Sequence, residues 1–283
     1  MYQDYVKNEL EFYYNTIQNS KIKEILRYSL EDGKCIRGFI VKHLIETLKN
    51  RNNIMNQFIW QPIVAIELIQ GISLVIDDLP CMDNDLIRRN KPSTFARYGE
   101  RQALLVSLYG ISEAFNLLIK GIQSVNIDNS EYINIMNIII SDWHEYIGKN
   151  LVVGQMLDLK ENIEDLLNIK ITNNNTNIML YKTCSLFIFT FVLGGLFSGV
   201  KVNLDDYKLI GYHIGCMYQI MDDSRDIDTD IKEANIVLNQ GPVQANLLYL
   251  ESKSKVLDLL EKNNIVTEEL LNLINTIDNM LKI

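Results

Sequence analysis

Residues 66–89 read IELIQGISLVIDDLPCMDNDLIRR. The stretch opens apolar and closes on four carboxylates, Asp77, Asp78, Asp83 and Asp85, followed by Arg88 and Arg89. As a helix over 66–78, at about 100° per residue, it carries Glu67, Gln70, Ser73 and Asp77 on one stripe about 120° wide, with Asp78 beside its edge. The remaining surface is Ile, Leu and Val with one Gly, so the helix should be buried nearly all round. Its polar stripe then faces something other than hydrocarbon. Pro80 breaks or bends the helix and lets Asp83 return towards Asp77. Carboxylates gathered in this way repel one another unless a cation lies between them, and hard oxygen ligands suit Mg²⁺.

A second stretch, GCMYQIMDDSRD at 215–226, answers the first. Helical spacing places Gly215, Gln219, Asp222 and Asp226 within about 60° of one face, with Asp223 about 40° beyond its edge. Two such helices facing each other would hold six carboxylates across a cleft, Asp77, Asp78 and Asp83 on one side and Asp222, Asp223 and Asp226 on the other. That set can bind several Mg²⁺ ions and, through them, a diphosphate.

The rest of the chain fits an all-α protein. Only 4 prolines interrupt 283 residues. Long segments of helical period recur between short polar joints such as Asn126–Ser130, and no alternating strand pattern persists. The expectation is a single domain over 1–283, an antiparallel bundle of ten or more helices around a central cleft. With 27 Lys and Arg against 36 Asp and Glu, net −9, no basic excess is available for nucleic acid as a main partner. Cys35, Cys81, Cys184 and Cys216 have no paired spacing and read as thiols in a reducing, cytoplasmic setting. The N-terminal MYQDYVKNELEFYY lacks the cationic and apolar regions of a signal peptide. Residues 184–200, CSLFIFTFVLGGLFSGV, are the membrane candidate; bilayer spans need about 20 residues, so a buried core helix is expected there and no transmembrane segment.

Asp77-Asp78-Leu-Pro-Cys-Met-Asp83-Asn-Asp85 with Arg88-Arg89 resembles the first aspartate-rich motif of the trans-isoprenyl diphosphate synthases, in the longer spacing of bacterial and plant enzymes. Tyr218-Gln219 with Asp222-Asp223-Ser-Arg-Asp226 resembles the second. The resemblance continues at Lys34 and Arg37, which match the Gly-Lys-Arg-x-Arg-Pro element that binds the diphosphate of isopentenyl diphosphate; Cys35 stands for its middle arginine and Gly38 for its proline. Gln70 stands for a histidine contacting the same diphosphate. Lys91-Pro92-Ser93-Thr94, Gly154-Gln155 with Asp158, and Lys182-Thr183 match further elements. Lys232 aligns with a lysine that follows a loop, shortened here to five residues after Asp226. Trp143, His144 and His213 read as packing or surface residues.

The resemblance implies the isoprenoid synthase (class I terpenoid) fold, a homodimer through helices near 99–150, and a reaction by ionisation, condensation and elimination. About three Mg²⁺ ions on the six aspartates, with Lys182, Arg88 and Lys232, would neutralise the diphosphate leaving an allylic substrate. Isopentenyl diphosphate, held by Lys34, Arg37, Gln70 and Arg89, would supply the attacking double bond. Thr183 would lie beside the allylic diphosphate, and Gln219 would face the cation. A class I terpene cyclase on the same fold and a weakly active, prenyltransferase-like regulatory subunit are the alternatives. For product length the expected floor lies on the first-motif helix, at Ile72, Ser73 and, a turn back, Ile69. None is aromatic, which points to geranylgeranyl diphosphate. The missing cation at Cys35 and the neutral Gln70 predict weak affinity for isopentenyl diphosphate.

Overall fold

A computed structural model describes residues 2–52, 59–125, 127–159, 179–227 and 235–283. They form two compact units, residues 1–139 with 196–200, and residues 140–195 with 201–283. The all-α expectation holds: apart from one two-residue ladder, every regular element among the described residues is helical.

In the first unit α1 (Tyr2–Thr16), α2 (Ser20–Leu30) and α3 (Ile36–Arg51) pack around α4 (Gln61–Asp77), which also lies along α6 (Glu100–Ile122) after the short α5 (Thr94–Tyr98). Helix α4 is the core of the unit for the reason its composition gives. It starts with Pro62 in its first turn, where a missing N–H costs nothing, and buries Ile63, Val64, Ala65, Ile66, Leu68, Ile69, Ile72 and Val75. Gly110 of α6 lets the two helices close: a Cβ there would come within 2.6 Å of Ile72 Cγ1. Helix α6 is long and apolar enough, by length and composition, to cross a bilayer. It buries Ala103, Val106, Ala114, Leu117 and Leu118, and leaves Leu104, Leu105 and Leu108 exposed.

Between α4 and α5 lies the departure from a purely helical reading. Ile87–Arg88 (β1) pairs antiparallel with Lys91–Pro92 (β2). Arg89 and Asn90 turn the chain with φ of 54° and 60°, the two positive values that a type I′ hairpin turn requires.

Helix α7 (Asn129–Asp142) belongs to the first unit as far as Ile139; the second unit takes up its last turn and continues through a π-helical stretch, Trp143–Asn150, into α8 (Leu151–Asp158). A second π-helical turn, Met179–Cys184, opens α9 (Ser185–Phe197). Then come α10 (Leu204–Arg225), α11 (Ile236–Gln240), α12 (Pro242–Lys262) and α13 (Glu268–Met280). The apolar run at 184–200 is thus a short helix buried in protein. Three glycines set the spacing. A Cβ on Gly211 would meet Ile188 Cα and Phe187 O at 2.6 Å, one on Gly215 would meet Cys184 Cα at 2.7 Å, and one on Gly154 would meet Lys182 N at 2.6 Å. Backbone therefore touches backbone at each place. The sulfurs of Cys184 and Cys216 are 3.7 Å apart, and none of the four cysteines is in a disulfide.

Because the atoms met at Gly211 are backbone, Gly211→Ala should lower the unfolding free energy by about 1–3 kcal/mol. Urea denaturation with an unchanged slope reads the difference; a variant as stable as the parent would mean that α9 and α10 do not meet there.

Candidate active site

Helix α4 ends at Asp77, and the chain folds back on its own last turn. The Asp83 N–H donates to Asp77 O at 2.9 Å and the Asp85 N–H to Asp78 O at 3.1 Å, so the return expected after Pro80 is made by backbone hydrogen bonds. Asp77 and Asp78 are buried, whereas Asp83 is exposed. Arg88 comes back from the hairpin to donate to Asp78 Oδ1 from Nε (2.8 Å) and Nη2 (2.5 Å), and to Asp85 Oδ2 (2.9 Å). Burial pushes the Asp78 carboxyl above the usual carboxylate range; Arg88 opposes this, and the neighbouring Asp85 and Asp83 add to it. Asp78 and Arg88, expected as a metal ligand and a diphosphate ligand, are thus engaged with each other.

Arg89, the other arginine expected at a diphosphate, is also engaged with the protein. Its Nη1 donates to Glu31 O at 3.0 Å and lies 3.4 Å from the carbonyls of Ser29 and Leu30, so it caps the carbonyl end of α2. The same guanidinium lies over Gly33 and feels the charge of Glu67. Arg89 therefore holds the hairpin to the turn that carries Lys34 and Arg37. Lys34 is exposed and Arg37 half-buried at the start of α3, while Cys35 is buried with φ of 51°. Along α4 the Gln70 Oε1 is buried with no hydrogen-bond partner among the described residues, and the Ser73 hydroxyl donates to Gln70 O at 3.0 Å. Of the three expected floor residues only Ser73 is partly open. Ile69 and Ile72 are fully buried, Ile72 against Gly110 of α6.

In the second unit the π-helical turn carries Lys182 and Thr183, and such turns often coincide with functional positions. Lys182 is paired with Asp158 of α8, and the Thr183 hydroxyl donates to Gln219 Oε1. Gln219 Nε2 donates to Asp223 Oδ1 at 2.6 Å, and the Ile236 N–H donates to Asp223 Oδ2 at 2.7 Å. Both oxygens of buried Asp223 thus accept protein hydrogen bonds. Asp223, expected as a metal ligand, is thus engaged with the protein, and its place beyond the edge of the polar face puts it within reach of these donors. Asn235, a residue to which the sequence reading gave no role, completes the arrangement. Its Nδ2 donates to Asp223 O at 2.7 Å and its Oδ1 caps α11 at Val237 N and Leu238 N. An Asn before an Ile-Val-Leu run is an N-cap signal that a sequence can show. Asp222, half-buried, and Asp226, exposed, stand one turn apart at the end of α10. Lys232 and the short loop that carries it lie outside the described residues. Both amide atoms of Gln155 are buried without partners among the described residues, an arrangement costing about 1–3 kcal/mol per group unless a ligand supplies them. His144 is exposed, and His213 lies 3.3 Å from the Ser252 hydroxyl, packed as expected.

Among the described residues no three acidic, Cys or His side chains converge as a metal cage. Mg²⁺, however, is ordinarily held by one or two carboxylates, with phosphate oxygens and waters completing its shell. The pairs Asp77–Asp83 and Asp222–Asp226 suit that chemistry, and the crowding of Asp78 by Asp83 and Asp85 is a repulsion that a cation would relieve.

A family model described as polyprenyl synthetase matches residues 19–238. The farnesyl diphosphate synthase of Buchnera aphidicola subsp. Schizaphis graminum is 32% identical over 257 residues, 84% of this chain and 78% of that protein. The heterodimeric geranylgeranyl pyrophosphate synthase large subunit 1 of Arabidopsis thaliana chloroplasts is 28% identical over 81% of this chain, which spans 60% of that protein's length. A crystal structure of geranyltransferase from Legionella pneumophila superposes with a TM-score of 0.79 at 25% identity, covering 98% of this chain and 94% of that one. On the motif residues, the all-helical fold and a family match across most of its length, the chain belongs to the polyprenyl synthetase family.

Proposed function

We propose that this protein is a Mg²⁺-dependent trans-prenyltransferase that condenses isopentenyl diphosphate with an allylic diphosphate, and that its main product is geranylgeranyl diphosphate. The observation that carries the first part is the provision at the ends of α4 and α10. Each brings three motif carboxylates to a helix end, Asp77, Asp78 and Asp83 on one and Asp222, Asp223 and Asp226 on the other, a donor set that suits a hard cation. Mg²⁺ bound there supplies positive charge against a departing diphosphate. Lys182, held by Asp158, adds a cation beside Thr183. Gln219, fixed by Thr183 and Asp223, and Gln155, whose buried amide lacks partners among the described residues, offer dipoles to an allylic cation. The isopentenyl double bond attacks that cation, and the proton then lost passes to the released diphosphate, so no protein nucleophile is required.

The product reading rests on the turn of α4 before Asp77. Ser73 is small and partly open, and Ile72 is turned into the α6 contact, so neither blocks a growing chain. Relatives are named for both fifteen- and twenty-carbon products. The exposed Leu104, Leu105 and Leu108 of α6, with Ile133 of α7, support a homodimer. Light scattering should then give twice the mass of the 32.7 kDa chain, and a monomer at micromolar concentration counts against it.

Incubation with isopentenyl diphosphate, an allylic diphosphate and Mg²⁺ should yield elongated prenyl diphosphates, and a chelator should stop the reaction. Chromatography should show a twenty-carbon product from the parent and a shorter one from Ser73→Phe. Cyclic hydrocarbons, or no turnover, would remove the reading; a fifteen-carbon product would correct its second half.

Asp77→Ala and Asp222→Ala should each abolish turnover with little loss of helicity. Asp223→Ala should lose stability as well, by about 1–3 kcal/mol, because it leaves the buried Ile236 N–H and the Gln219 amide without their acceptor. An Asp223→Ala variant as stable as the parent would mean that these hydrogen bonds are not made.

A further inference from the structure

The turn at 33–38 departs from the resembling pattern at Cys35 and Gly38, and both departing residues meet the same buried group. The Gly38 N–H donates to Glu67 Oε1 at 2.6 Å. The Cys35 thiol is hydrogen-bonded to the same carboxylate. A Cβ on Gly38 would come within 2.9 Å of Glu67 Cγ, so the close approach needs glycine and the bond needs an N–H, which proline lacks. Burial pushes the Glu67 carboxyl above the usual carboxylate range, and the Gly38 N–H, Arg37 and Arg89 oppose it. Glu67 itself is 7% exposed and lies one turn before Gln70 on α4. A buried carboxylate is costly unless it is hydrogen-bonded and charge-compensated, and this one has both. On the other side of the turn Arg89 ties it to the end of α2. The turn is thus clamped from two sides, and the cations Lys34, Arg37 and Arg89 belong to the clamped structure.

We propose that Glu67 is the positioning residue of the isopentenyl diphosphate subsite, fixing the 33–38 turn through Gly38 and Cys35 and setting where Arg37 and Arg89 meet the diphosphate. Cys35 and Gly38 are then parts of a scaffold matched to Glu67 and not losses from a binding element. An arginine at 35 would accordingly be directed at Glu67 and would not restore a missing ligand. The inference rests on the reading of this turn as the isopentenyl diphosphate subsite.

The test uses the full chain with Glu67→Ala, Glu67→Gln, Gly38→Pro and the double variant Gly38→Pro/Glu67→Ala. Calorimetric titration with isopentenyl diphosphate alone reads the subsite without turnover, and steady-state kinetics give KM for each substrate. Glu67→Ala should weaken isopentenyl diphosphate binding about tenfold or more and raise its KM in step, with KM for the allylic substrate changed by less than about twofold. Glu67→Gln keeps an acceptor for Gly38 and should recover most of that loss. Gly38→Pro alone should weaken binding, and should add nothing once Glu67 is removed. Melting temperatures separate these effects from misfolding, and if Glu67→Ala does not fold, Glu67→Gln and Gly38→Pro decide the question. Unchanged binding by Glu67→Ala, equal losses for both substrates, or additive effects in the double variant would overturn the inference, as would a parent that does not bind isopentenyl diphosphate. A parent that binds and responds as described but forms no product would remove the proposed function and leave the inference standing.

Discussion

A buried helix that carries polar groups must find a partner for each of them, and this requirement shapes everything packed around α4. Its flank meets α1, α2, α3 and α6, so water is withheld from most of its surface. Glu67 is met by the 33–38 turn, the Ser73 hydroxyl by the Gln70 carbonyl, and Asp78 by Arg88. Gln70 Oε1 has no such partner among the described residues. The cost of an unpartnered buried group, about 1–3 kcal/mol, accounts for the hairpin and the turn being drawn to this helix, with Arg88, Arg89 and Arg37 carried on them.

The second unit solves a related problem with small residues. Gly154, Gly211 and Gly215 bring α8, the 179–184 turn, α9 and α10 to backbone contact. That closeness puts Thr183 within hydrogen-bonding reach of Gln219, and Lys182 within reach of Asp158. Asp223 then links Gln219 to Asn235 and to the first turn of α11. A chain of side chains that each satisfy the next gives a more rigid placement than the same residues would have singly.

The aspartates of the two motifs meet different surroundings. Asp78 accepts from Arg88, and Asp223 accepts from the Gln219 amide and the Ile236 N–H. Asp77 is buried at the end of α4, while Asp83 and Asp226 are exposed. Equal letters in the sequence therefore stand in unequal environments.

Much was legible from the residues alone. Spacing placed Asp77 and Asp222 at the ends of buried helices, and Pro80 announced the return of Asp83. Few prolines and a helical period gave the all-α class, and the short apolar run at 184–200 was read correctly as core. These features are local, fixed by period, length and turn chemistry. The partners of Asp78, Asp223, Arg89 and Glu67 were not legible, since each is chosen by a segment distant in sequence that happens to offer a donor or acceptor at hydrogen-bonding distance. The π-helical turn around Lys182 and the inward turn of Ile72 were hidden for the same reason, because they are settled by which backbone a glycine admits. Sequence by itself determined which residues would gather at helix ends and what chemistry they can perform. Tertiary structure decided which partner each of them meets, because a buried polar group must be satisfied wherever the fold brings one.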